Sequence, residues 1–390
     1  MRPDDAVCTA ACAVACYALR REPTMPPTLT RDALNRALLA RQLLLERSDQ
    51  GVARTIEHLV GLQSQLPNPP YLGLWTRLEG FDFGELAALV EGGDVVRLAL
   101  MRSTIHLVSA EDAVRLRPVL EPMLDRRFRA SPFARALAGA DVPGVVAAAR
   151  DLVAERPLSF AELGRALLER WPSLDADALA QAARAYLPLV QTPPRGVWGR
   201  SGTPRHTTIE AWLGPGHRAL GRSAATASEL VTRYLGAFGP ASVADVQTWS
   251  GMTRLRPVLE TLDLVTFEDE DGAELFDLPG AARPDPGVPA PARLLPQYDN
   301  VLLAHADRRR VLGPVDFAQL FERFHMVPGT VLLDGYVSGV WSFERSGRAV
   351  NLRVEPLSGA FSARARGAVG SEAERLLEAI GGGNVEFGRP

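Results

Sequence analysis

Gln63-Ser64-Gln65, set just before Pro67-Asn68-Pro69-Pro70, is the stretch of this 390-residue chain whose side chains could do distinctive chemistry. A glutamine side chain does not titrate; it offers a carbonyl acceptor and an amide donor. A reaction run by two of them needs no acid or base from the protein. Spacing sets the geometry they require. Val52, Ile56, Leu59 and Gln63 share one face of a helix that begins near Gly51. Pro67 disfavours helical backbone at Leu66, so this helix is expected to end between Gln63 and Gln65. In an extended exit, residues two apart point to the same side, and the two amides converge. On spacing alone a plainer reading stands beside this one, a helix end whose glutamines satisfy its last carbonyls.

Two further clusters carry polar chemistry. In Arg102-Ser103-Thr104-Ile105-His106, a strand would place Arg102, Thr104 and His106 on one face, as a solvated surface or as a groove wall that meets phosphate. The segment 294–313 holds Asp299, His305 and the run Arg308, Arg309, Arg310, which suits a solvated loop or a phosphate clamp. Arg115, Arg117, Arg126, Arg127 and Arg129 make another basic patch. The histidines lack metal-ligand spacing and no nucleophile elbow occurs, so neither a metal nor a cofactor is expected.

Composition narrows the classes. All 43 basic residues are arginine, and lysine is absent. Schiff-base catalysis by a side chain and a lysine-bearing phosphate loop are therefore excluded. Net charge is −3, so a nucleic-acid surface must be local. No run reaches the roughly 18 apolar residues of a membrane span. Cys8, Cys12 and Cys16 are the only cysteines, which leaves the body without disulfides and suits a reducing compartment. Residues 6–19 resemble a signal segment but have poor flanks. Residues 1–27 are expected to form a disordered extension, with Met25 an alternative start.

The elements that must position these residues recur in a pattern. Helices are expected after Thr30, at 83–91 and 110–127, with Ala99–Val108 extended between them. Three helices at 143–155, 159–170 and 175–190 precede a Pro/Gly-rich wing, and Ser159 with Glu162 forms a capping box. Three more at 224–238, 242–250 and 252–262 precede a hairpin turning at Asp271-Gly272. The fold class is α+β. Three tandem winged-helix regions are expected at 28–137, 138–222 and 223–280. A Pro-rich linker at 281–292 and a C-terminal β-rich, barrel-like domain at 293–390 follow.

The chain resembles the winged-helix DNA glycosylases of the AlkZ/YcaQ type. TRDALNRALLARQLLL, VGLQSQLPNPPYLGLW, LALMRSTIHLVSAED, LLPQYDNVLLAHADR and VLLDGYVSGVWSF carry the likeness. The family motif is Gln-x-Gln or Gln-x-Asp; Gln65 puts the chain on the AlkZ side, and Ser64 replaces a middle residue that is often aliphatic. The resemblance implies a C-shaped concave surface for duplex DNA and a catalytic pair at Gln63 and Gln65. DNA contacts are expected from Arg102, Thr104, His106, Arg308, Arg309 and Arg310. The implied activity is monofunctional removal of N7-alkylated purines from double-stranded DNA, including azinomycin-type interstrand crosslinks, by a cytoplasmic, nucleoid-associated monomer with no membrane partner. Winged helices alone would serve a non-catalytic regulator equally, and a protein that sequesters the alkylating drug is a third possibility.

Overall fold

The computed structural model describes residues 26–346 and 349–388. The three cysteines and most of the N-terminal extension lie outside them. The chain folds as α+β, with sixteen α-helices and three open sheets among the described residues.

The sheet that matters for the site has five antiparallel strands. Their order is Leu62–Gln63, Ile105–Ser109, Val95–Ala99, Leu189–Gln191 and His206–Thr208. Leu98 pairs with Val190, so one sheet spans the expected first and second helix–hairpin regions. A second sheet pairs Thr28–Leu29 in parallel with Val265–Asp269, which turns through Gly272 into Glu274–Asp277. Local signals account for many elements. Thr30 caps the helix Arg31–Arg41 by accepting from Ala33, and Ser159 with Glu162 forms a reciprocal capping box on Phe160–Leu168. Helices Val142–Glu155, Phe160–Leu168 and Ala176–Tyr186 close around Val145, Leu163 and Leu179. Helices Ala227–Phe238, Val243–Ser250 and Arg256–Glu260 precede the second hairpin.

The C-terminal sheet corrects the barrel-like expectation. Its order is Gly383–Phe387, Ala349–Pro356, Tyr336–Ser346, Gly329–Leu333 and Arg293–Leu295. The sheet stays open because its edge strands, Gly383–Phe387 and Arg293–Leu295, are not paired with each other. Helix Ala363–Ile380 packs across it through Leu376 and Leu377 against Leu352 and Val354. Helices Arg309–Leu312 and Phe317–Phe324 interrupt a stretch expected to be strands.

The proline-rich segment contains no helix or strand, and it is fastened down. Arg36 Nε donates to Val288 O at 2.6 Å, Arg41 reaches Ala282 O, and Ala290 N donates to Asp334 Oδ1 at 3.1 Å. It runs along the first helix.

Candidate active site

Gln63 lies on a strand. Its helix, Val52–His58, stops five residues earlier than the spacing suggests. Val60 and Gly61 take left-handed backbone at φ 54° and 82°, which turns the chain into Leu62–Gln63. Gly61 is required there: a Cβ would lie 3.0 Å from Leu107 O and collide with Val108. Of the face read from Val52 to Gln63, Val52 and Ile56 lie in the helix, Leu59 caps it and Gln63 lies on the strand.

Strand alternation then separates the motif. Gln63 is paired with His106 and shares its face, whereas Ser64 faces the other way. Ser64 is buried, accepting from Arg97 Nε at Oγ (2.8 Å) and from Arg97 Nη2 at its carbonyl (2.7 Å). Gln65, beyond the strand end, is exposed, and its Oε1 sits 3.4 Å from Ile105 N. The next residues wind into a short helix, Pro69–Trp75, whose first-turn prolines have no amide hydrogen to leave unpaired. Tyr71 on that helix donates to Gly196 O and accepts from Trp198 N, tying the 192–205 loop to the motif.

Arg102 is not on a strand. Met101–Ser103 is the tip of a hairpin between Val95–Ala99 and Ile105–Ser109, with Arg102 and Ser103 left-handed at φ 56° and 61°. The tip is braced: Arg184 Nη2 donates to Ser103 O at 2.7 Å, and Gly251 brings the end of helix Val243–Ser250 within 3.1 Å of Arg102 Cα, measured from the Cβ it lacks. Arg102 turns its fork inward, donating to Trp249 O through Nη1 and to Gln63 Oε1 through Nη2 at 2.6 Å. Burial, with Arg127 and Arg308 nearby, pushes its guanidinium down to about 10, so it remains a cation at neutral pH.

Two of the residues expected to contact DNA are buried. His106 is 1% exposed, and burial beside Arg102 pushes it down to about 3. It is neutral, and its Nδ1–H donates to Thr104 O at 3.0 Å. Arg310 is 6% exposed and donates to Pro240 O at 2.7 Å, with Asp245 alongside. Both side chains are turned inward onto backbone carbonyls. The arginine run splits three ways: Arg309 is exposed but held by Asp307 and Asp271, both at 2.6 Å, and half-buried Arg308 lies 4.0 Å over the Phe317 ring. Half-buried Thr104 turns its hydroxyl to Met101 O.

Asn300 escaped the sequence reading. Its Nδ2 donates to Gly61 O at 2.7 Å and its Oδ1 accepts from Gln63 N at 3.2 Å. Its neighbour Asp299 pairs with Arg77. The only signal was its place beside Asp299 in a polar-tipped apolar segment. Among the described residues no group of three or more His, Cys, Asp or Glu side chains could hold a metal, and no helix is long and apolar enough to cross a membrane.

Gln63, held by Arg102, and the exposed Gln65 thus stand at the end of an edge strand on an α+β scaffold with helix–hairpin units. The chain matches the family described as "DNA glycosylase AlkZ-like" over residues 56–379. It belongs to the AlkZ-like DNA glycosylase family, whose substrate is DNA. Among solved structures it resembles the Streptomyces sahachiroi DNA glycosylase AlkZ, with a TM-score of 0.73 and 19% identity over 93% of this chain and 100% of that one. At that identity it is a distinct protein with the same fold. No curated protein matches the chain.

Proposed function

We propose that the chain is a monofunctional DNA glycosylase for purines alkylated at N7, including interstrand crosslinks of the azinomycin type, with Gln63 and Gln65 at the reacting nucleotide. The three helix–hairpin units act as winged helices on one concave, DNA-facing surface of a monomer. The observation that carries the reading is the uncharged, non-titrating character of the side chains at the motif. Its amides do not titrate, and His106 beside them is neutral with its pKa near 3.

Such a motif suits a substrate that needs no catalytic acid. An N7-alkylated purine is already cationic. When its C1′–N9 bond breaks, the electron pair moves onto the purine and neutralises it, so no proton need be supplied. The sugar becomes an oxocarbenium-like cation, water oxygen bonds to C1′, and the water's proton passes to solvent. What remains for the protein is placement and electrostatics. The lysine-free chain offers no side-chain amine for a following lyase step. A base tethered to the opposite strand resists rotation into a deep pocket, and an exposed Gln65 at a strand end suits a shallow, groove-facing site.

The test is a defined N7-crosslinked duplex incubated with the protein, scored for released base and alkali-labile sites. Unhooking with abasic sites supports the reading. Sequence-specific binding with no base release would make the protein a regulator, and stoichiometric drug binding without DNA would make it a sequestering protein.

A further inference from the structure

Gln63 and Gln65 do not offer the same chemistry. Arginine has five donors and no acceptor. The end of the Gln63 amide that lies 2.6 Å from Arg102 Nη2 must therefore be oxygen. Its carbonyl already accepts from a resident cation, and its Nε2–H pair donates to no partner among the described residues. Gln65 has no such partner. Its oxygen makes one long contact, 3.4 Å from Ile105 N, and its side chain is exposed.

Arg102 is itself fixed for this task. It makes no ion pair among the described residues, its second prong is spent on Trp249 O, and the tip that carries it is left-handed at two successive non-glycine residues. Such backbone persists only where its surroundings enforce it. Here Arg184 holds Ser103 O, and Gly251 admits the neighbouring helix end.

We infer that Arg102 is a positioning residue that locks the Gln63 amide with its carbonyl inward and its N–H pair toward the DNA, leaving the Gln65 carbonyl to hold the attacking water. A guanidinium on the Gln63 oxygen would weaken that oxygen as a partner for a sugar cation, so the labour divides: Gln63 donates to the nucleotide and Gln65 accepts from water. This rests on the proposed roles of both glutamines.

Isosteric substitution tests the division. Glu at position 63 would pair with Arg102 and present no donor, whereas Glu at position 65 keeps an acceptor. Single-turnover rates at saturating lesion DNA, with DNA Kd measured separately, should show Gln63→Glu and Arg102→Met each slowed by about 100-fold or more. Gln65→Glu should be slowed much less. Arg102→Lys, which can satisfy one of the two carbonyls, should fall between. For Arg102→Met, Kd should stay within about threefold of wild type, marking a loss in chemistry and not in binding. A thermal melt of each variant separates misfolding from mispositioning, and the Lys variant keeps the test open if the Met variant does not fold. Equal losses for the two Glu variants, or an Arg102→Met loss confined to Kd, would overturn the lock. Wild-type rates from Gln63→Ala and Gln65→Ala would instead overturn the site assignment, a separate outcome.

Discussion

Arg77 and Asp299 meet in a two-pronged ion pair, Nη1 to Oδ2 and Nη2 to Oδ1, both at 2.8 Å, with neither side chain exposed. Arg77 follows the helix that leaves the glutamine motif, and Asp299 adjoins Asn300, which grips Gly61 and Gln63. The pair joins two segments 222 residues apart in sequence, one leaving the motif and one gripping it.

Removing one partner strands a charge in a dry interior. Asp299→Ala should cost about 3–5 kcal/mol, because a buried guanidinium loses its counter-ion. Urea denaturation of the variant measures it. A loss below about 1 kcal/mol, the scale of an exposed pair, would contradict the anchoring role.

Asn300→Ala separates site geometry from stability. It removes a donor to Gly61 O and an acceptor for Gln63 N, at about 1–3 kcal/mol for the polar groups left behind. Leu62–Gln63 is an edge strand, so the slack falls on Gln63. Base-release rate should fall by more than the stability loss implies, with DNA affinity nearly unchanged.

How far the sequence led depended on the distance over which each signal acts. Thr30, Ser159 with Glu162, and Gly272 act within a few residues, and each reads correctly from local chemistry. The Gln63 environment does not. Arg102 looked like a strand residue because Arg102, Thr104 and His106 alternate, but the chain reverses at Met101–Ser103 through left-handed backbone that no glycine announces. Asn300 reaches Gln63 across 237 residues, a pairing that no local pattern encodes. The C-terminal sheet was legible as strands, yet its openness depends on which edges meet, and hydropathy does not record that.

Gly61→Ala tests the turn that replaces the expected helix end. The position needs φ 82° and has no room for a methyl group beside Leu107 O and Val108. Backbone strain of about 1–3 kcal/mol should appear as lost stability, together with slower base release because Gln63 is displaced. A neutral result in both measurements would mean that the loop relaxes without moving the amide.

The buried histidines set an acid limit. Burial pushes His106 down to about 3 and His206 to about 4, and His305 is lowered as well. The unfolded chain therefore takes up protons near pH 6.5 that the folded chain refuses. Stability is full above that value and falls as pH drops from about 6.5 toward 4, by up to about 1.4 kcal/mol per pH unit for each such histidine. His106→Gln should flatten this slope in chemical denaturation at stepped pH. Above pH 6.5 the base-release rate should show no histidine limb.

Arg127 and Arg308 are expected to act on DNA affinity and not on chemistry. Arg127 is exposed, Arg308 is half-buried over Phe317, and both lie close enough to depress Arg102. Neither makes an ion pair with a described carboxylate, whereas Arg309 is held by two. If each of the free arginines meets one phosphate, its replacement by alanine weakens binding across all sequences. It also reduces the slope of log K against log salt by about 0.9, the release of roughly one counter-ion. Arg309→Ala should change that slope least, since its charge is already offset by Asp307 and Asp271. Binding isotherms on one lesion duplex at several salt concentrations decide it. An unchanged slope for Arg127→Ala and Arg308→Ala would place the phosphate track elsewhere on the surface.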